Sequence, residues 1–176
     1  MEQGLVQIYC GNGKGKTTSA IGLGIRAIGS KLKVIMIQFL KNDNTGECET
    51  LKNLEPYFKV FHFEKRRGFT WTLTDEEKAE LKNEIAMAIK FAKKVMDTEE
   101  CDVLILDEIF GAISGGFVTE EELCELIDGK TDQVELVLTG RDVPESVAQR
   151  AAYISKIEPV KHPMNEGIMA RKGIEY

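Results

Sequence analysis

The chain has 176 residues, of which 43% are hydrophobic and 30% charged, with a net charge of −6. That length suffices for one domain with a buried core, and the acidic balance argues against a general nucleic-acid binder, which needs a surplus of surface Lys and Arg. No apolar run approaches the ~18 residues of a membrane span, and Met1-Glu2-Gln3-Gly4 leads straight into a strand-like stretch, so neither a membrane segment nor a signal peptide is expected.

The first predicted strand is Leu5-Val6-Gln7-Ile8-Tyr9. Cys10-Gly11-Asn12-Gly13-Lys14-Gly15-Lys16-Thr17-Thr18-Ser19 follows, and then a helical pattern with Ala20, Ile21, Ile25, Ala27 and Ile28 on one face. Strand, glycine-rich turn and helix form the setting of a phosphate-binding loop. Gly11, Gly13 and Gly15 let the backbone curl with its N–H groups inward. The helix N-terminus adds partial positive charge at the same point. Lys16 reaches outer phosphates, and the Thr17 hydroxyl can ligate a magnesium ion bound to them. The strict pattern G-x-x-x-x-G-K-[ST] starts with glycine, whereas Cys10 stands there and Gly11 comes one residue late. The competing reading is a glycine-rich surface turn.

Residues 33–39 are a near-continuous apolar run, as expected of a strand buried on both faces, and lead into Gln38-Phe39-Leu40-Lys41. Residues 42–47 read as a loop, a short helix is expected before Pro56, and Phe58 to Phe63 as a strand. Lys65-Arg66-Arg67-Gly68-Phe69-Thr70-Trp71 joins a basic run to two aromatics beside a glycine. The basic run is a solvated face or a site, and Phe69 and Trp71 either cap the core or project from a loop. Thr74 and Glu77 form a capping box for a helix running to about Asp97, with an apolar stripe from Leu81 through Ile85, Ala88, Ile89, Ala92 and Val95 to Met96.

Residues 102–108 give four apolar residues closed by Asp107 and Glu108. This is the acidic partner a phosphate loop needs, since magnesium takes carboxylate oxygen, or else an ordinary strand-end pair; spacing does not decide which carboxylate touches metal. Thr119 and Glu122 cap a helix to Asp128, and Val134 to Leu138 is another strand, ending in Thr139-Gly140-Arg141. Arg141 either neutralises triphosphate charge or is a surface arginine. Asp142-Val143-Pro144 opens a helix, and Tyr153 to Ile157 is the last expected strand. The tail from Pro159 lacks periodicity but carries Lys161, His162, Arg171 and Lys172.

Strands alternating with helices predict an α/β fold: one domain, residues 1–176, with a mostly parallel sheet covered on both faces in three layers. Ligands of such sheets bind outside the carboxyl ends of the strands, and Lys16, Thr17, Gln38, Lys41, Asp107, Glu108 and Arg141 all fall there. Cys10, Cys48, Cys101 and Cys124 are scattered, with no C-x-x-C pair and no nearby histidine in sequence, so a reduced cytoplasmic protein without a zinc site is expected.

Along almost its whole length the sequence resembles the P-loop type ATP:corrinoid adenosyltransferases. The matching stretches are residues 11–18, Gln38 to Lys41, Gly68-Phe69-Thr70-Trp71, Leu106 to Glu108, Thr139 to Arg141, residues 159–162 and residues 173–176. The family also lacks glycine at the position of Cys10. The resemblance implies a RecA-like P-loop fold and a reaction in which Co(I) of a corrinoid attacks C5′ of ATP and triphosphate leaves. No side-chain nucleophile is needed if the reduced cobalt is the nucleophile. It implies that Gly11, Asn12, Gly13, Lys14, Gly15, Lys16, Thr17, Thr18, Gln38 and Lys41 bind ATP, in reverse orientation along the loop. Mg²⁺ would sit on Thr17 with Glu108 and Asp107. Catalysis would involve Lys16, Phe69, Trp71 and Arg141, the aromatics keeping the axial ligand off cobalt. A homodimer served by a flavoprotein reductase is implied as well. Two departures stand out. Some members carry an N-terminal helix over the corrinoid, where this chain has only a few residues before its first strand, and Asn42-Asp43-Asn44 replaces the usual glycine and tryptophan. The alternatives are a P-loop NTPase that hydrolyses ATP to ADP and phosphate to drive a partner, and a nucleotide-binding regulator without catalysis.

Overall fold

A computed structural model describes residues 3–41, 45–65, 67–68 and 70–175, without the side chain of Trp71. Six strands form one sheet: β1 (Val6–Cys10), β2 (Val34–Gln38), β3 (Phe58–Phe61), β4 (Val103–Asp107), β5 (Glu135–Thr139) and β6 (Tyr153–Lys156). Their order across the sheet is β3-β2-β4-β5-β1-β6, and all five pairings are parallel. β2, β4 and β5 are buried at every residue, which is why their sequences run apolar without alternation, with polar residues only at their ends.

Helices cover both faces. α1 (Lys16–Gly29) packs Ala20 and Ala27 against Val34, Met36, Val103, Ile105 and Val137, joined by Leu51 of α2 (Gly46–Leu51). The opposite face carries α3 (Asp75–Asp97), α4 (Ile109–Ser114), α5 (Glu120–Asp128) and α6 (Glu145–Ala148), packed on Ile8, Ile35, Ile37, Leu104, Leu106, Leu136 and Leu138. Both capping boxes form. Thr74 and Thr119 accept the backbone N–H of Glu77 and Glu122, and those carboxylates accept the N–H of the two threonines.

Three departures from the sequence expectation have local causes. α4 was not anticipated, because it is short, holds Gly111, and starts from Glu108 in a left-handed conformation rather than from a capping side chain. α6 has only four residues. The tail, read as aperiodic, forms a 3₁₀ turn over Pro163–Glu166 and returns to the phosphate loop, where Glu175 lies 3.6 Å from Lys14.

The chain leaves β2 toward one edge of the sheet and β4 toward the other. That divergence opens a crevice at the carboxyl ends between β2 and β4, where a doubly wound sheet binds its ligand. The register pairs Gln38 with Asp107 at that point.

Candidate active site

The phosphate loop starts where β1 ends. Cys10 is still strand, paired with Lys156 of β6, and the first left-handed residue is Gly11, with φ near 100°. A Cβ on Gly11 would lie 2.4 Å from the carbonyl oxygen of Ile157. The tight turn therefore needs glycine at 11 and not at 10, which accounts for the shifted motif. Gly11 N–H donates to the Arg141 carbonyl (2.9 Å), and Gly13 N–H to that of Ile157 (2.8 Å). Lys16 Nζ donates to the Gly13 carbonyl at 2.9 Å. Burial lowers the pKa of this ammonium; Glu108 opposes the shift, while Arg141 and Lys41 add to it. Three cations gathered at one partly desolvated loop favour an anion.

Asp107 closes the other side and is fully buried. Its Oδ1 accepts from Thr17 Oγ1 (2.9 Å) and Thr139 Oγ1 (2.7 Å), and its Oδ2 from Gln38 Nε2 (3.0 Å) and Lys41 Nζ (2.6 Å). Lys41 Nζ also donates to Thr17 Oγ1 at 2.7 Å. The start of α1 after β1, the end of β2 with the turn after it, and the end of β5 thus all deliver groups to the single carboxylate that closes β4. Burial alone would raise the pKa of Asp107, but the Lys41 ammonium and the hydroxyl and amide donors outweigh it and hold the carboxyl below its ordinary value. Glu108 stands one residue on with φ near 63°; its N–H donates to Thr139 Oγ1 at 2.9 Å. This left-handed turn brings the Glu108 side chain into the cleft. Gly140, with φ near 152°, lets the chain after β5 pass Phe110, whose Cβ would lie 2.5 Å from an added methyl.

The β2–β3 register builds a second wall. Ile37 pairs with Phe61, so each step past the strand ends matches one residue after β2 with one after β3. His62 Nε2 lies 2.8 Å from Gln38 Oε1. Two residues further, Leu40 N–H donates to both Glu64 carboxylate oxygens, at 2.9 and 3.0 Å. Leu40 itself is left-handed, with φ near 54°, and this turn precedes Lys41. Arg67 is tied to α3 by two bonds to Glu84, 2.5 and 3.1 Å, and one to Glu80, 2.9 Å. It explains why Glu84 lies buried on the apolar stripe of that helix. Of the basic run, Arg67 is therefore a buried tether rather than a solvated charge. Glu64 was not singled out from the sequence, where it reads as part of a charged stretch. Burial, with Glu84 nearby, pushes its pKa up to about 7 despite the Leu40 N–H and Arg67.

Both walls line one cleft of about 1160 Å³. Lys14 to Thr18, Lys41, Glu108 and Arg141 lie on one side and Glu64, Lys65, Arg67, Gly68 and Thr70 on the other. Gly173, Ile174 and Glu175 of the returning tail reach the same cleft. Gln38 does not line it, being buried behind Asp107 and acting on that carboxylate. Asn12 is exposed. Phe69 and the side chain of Trp71 lie outside the described residues. All four cysteines are free, buried thiols.

Among the described residues no group of three or more His, Cys, Asp or Glu side chains converges to cage a metal. Thr17 and Glu108 remain as oxygen donors facing the cleft, a set that suits Mg²⁺, which keeps waters and phosphate oxygens beside one or two protein ligands. No helix among the described residues is long and apolar enough to cross a membrane.

The family model of ATP:corrinoid adenosyltransferase BtuR/CobO/CobP matches residues 2–176. A corrinoid adenosyltransferase of Escherichia coli (strain K12) is 30% identical over 177 residues, covering 99% of this chain and 87% of that protein. Another, of Pseudomonas aeruginosa, is 31% identical over 181 residues, covering 99% and 85%. Among solved structures, ATPases 2 and 3 of EssC from Geobacillus thermodenitrificans align over 97% of this chain and 35% of that one, with a TM-score of 0.50 at 14% identity, a likeness of fold.

Proposed function

The chain belongs to the ATP:corrinoid adenosyltransferase family, and on that premise we propose that it moves the 5′-deoxyadenosyl group of ATP onto Co(I) of a corrinoid, with inorganic triphosphate as leaving group. The observation that carries this reading is the continuity of the cleft. Its 1160 Å³ exceeds the roughly 300–1,000 Å³ of a site for one small ligand. A phosphate loop forms one wall, and Gly68 and Thr70 line the other, so a nucleotide and a second, large substrate can meet in it.

In this reaction the cobalt electron pair forms the Co–C5′ bond while the C5′–O bond breaks, its electrons leaving with triphosphate. The protein must hold C5′ in line with cobalt and stabilise charge on the leaving oxygen. Lys16, Arg141 and the loop amides suit the second task, because they already gather positive charge at the start of α1. The fixed strand ends suit the first. Lys14, close to Glu175, adds charge at the rim. Gln38 acts indirectly, by orienting Asp107. Thr17 and Glu108 would hold Mg²⁺, which when bound offsets triphosphate charge, with Asp107 fixing the Thr17 hydroxyl from behind.

Phe69 and Trp71 are assigned, on the resemblance, to the face of the corrinoid where they keep an axial donor off cobalt. We also infer a homodimer and a flavoprotein electron donor; in support of the first, β6 is an outer strand with Tyr153 and Ile154 exposed. The test is product analysis. ATP with chemically reduced corrinoid should yield triphosphate and a 5′-deoxyadenosyl corrinoid. ADP accumulating at one rate with and without corrinoid would favour the hydrolase alternative.

A further inference from the structure

Glu64 is an acidic group that nothing in the adenosyl transfer requires. It lines the wall of the cleft that also holds Gly68 and Thr70, and it is mostly buried. Among the described residues its hydrogen-bond partner is one backbone N–H, that of Leu40, shared by both oxygens. A carboxylate offers about four lone-pair sites, so the described contacts leave most of its accepting capacity unspent. The described cations beside it are paired with other carboxylates. Arg67 is bonded to Glu84 and Glu80, and Lys65 lies 3.7 Å from Glu80. No ion pair among the described residues involves Glu64. At Glu64 itself the wall therefore accepts hydrogen bonds, and the ionised carboxylate disfavours a second anion in contact with it.

The periphery of a corrinoid carries short acid side chains that exist either as free carboxylates or as carboxamides. A carboxamide brings two N–H donors to an acceptor. A free carboxylate brings none and adds a like charge. Resting on the corrinoid reading above, we propose that Glu64 is a specificity-determining residue that selects corrinoids with an amidated side chain at this wall over those with a free carboxylate there.

The test compares kcat/KM at pH 8 for a fully amidated cobalt corrinoid and its free-acid counterpart, both supplied as Co(I) with saturating ATP. Placing a like charge against a buried carboxylate costs at least about 1.4 kcal/mol, so the wild type should prefer the amide about tenfold or more. Glu64→Gln keeps an acceptor for Leu40 N–H and adds a donor. It should bring the ratio to within about threefold, by gain on the free acid rather than loss on the amide. Glu64→Lys should invert the preference. A second readout needs no variant. Glu64 faces Glu84 of α3 and Arg67 of its own segment, and titrates near 7, so wild-type discrimination should fade as pH falls from 8 to 6 and the protonated acid becomes a donor. Equal rates on the two corrinoids, or a ratio unmoved in Glu64→Gln and across that pH range, would overturn the assignment while leaving adenosyl transfer intact. Failure of the wild type on both corrinoids, with Mg·ATP bound, would instead remove the transferase reading and this inference with it.

Discussion

Asp107→Asn tests the centre on which four strands converge. The substitution removes a charge and turns one accepting atom into a donor. If the new amide oxygen serves Thr17 and Thr139, its NH₂ faces Gln38 Nε2 and Lys41 Nζ, which both donate to Asp107; the other rotamer leaves the two hydroxyls in the same conflict. Breaking a buried ion pair by removing one partner costs about 3–5 kcal/mol. The Lys41 side chain retains 23% exposure against none for Asp107, so it can partly rehydrate, and the lower figure of about 3 kcal/mol applies. For a chain of this size that is a fall of roughly 6–12 °C in Tm. The pH dependence has a definite sign. The Asp107 carboxyl titrates below its ordinary value, so its contribution is present above the unfolded pKa of about 3.9 and is lost as pH falls through the folded one. Scanning calorimetry should therefore find a large gap between variant and wild type at pH 7 that closes below about pH 4. A cycle with Lys41→Met should show a coupling of about 0.5–3 kcal/mol. If Asp107→Asn melts within about 1 °C of wild type at pH 7, the carboxylate is not the organising group described here.

Lys16→Ala should weaken Mg·ATP binding about tenfold or more by titration calorimetry, since a charge-assisted contact is worth about 1.5–3 kcal/mol; unchanged affinity would remove the loop assignment. Phe69→Ala with Trp71→Ala should abolish activity from Co(II) with a mild reductant yet spare much of it from ready-made Co(I), because an axial donor makes Co(II) harder to reduce; equal loss in both assays with a lowered Tm would make the two rings core residues instead. Glu64 titrates at about 7 against an ordinary 4.5, so its stabilising contribution is full below about pH 4.5 and is lost as pH rises through 7. Glu64→Gln, which cannot ionise, should gain up to about 3 kcal/mol over wild type at pH 8 and nothing at pH 4. A variant melting like wild type at both pH values would contradict the burial of that charge.

What the sequence disclosed and what it hid divide along a physical line. The strands were legible because a strand buried on both faces runs apolar through its interior, and β2, β4 and β5 do, with polar residues only at their ends. Lys41, Asp107 and Glu108 were legible because they stand at or just past the ends of such runs, where α/β sheets bind ligands, and Lys16 and Thr17 because they close a glycine-rich turn after β1. What stayed hidden is what register and backbone sign decide. The role of Gln38 as a second layer behind Asp107 follows from the β2–β4 pairing, which no local pattern encodes. Leu40 and Glu108 are non-glycine residues in left-handed turns, conformations that their side chains disfavour and that no glycine announces. Glu64 is the sharpest case. Its distance along the chain from Leu40 says nothing, but Ile37 pairs with Phe61, and three residues beyond each partner stand Leu40 and Glu64. The same pairing that sets an acid against the Leu40 amide also fixes the turn before Lys41. The wall that would meet the corrinoid and the cation that meets Asp107 are thus held by one hydrogen bond, so changes at residue 64 should reach KM for ATP through Lys41 only when they remove the acceptor for Leu40 N–H: Glu64→Ala should raise it, and Glu64→Gln should not.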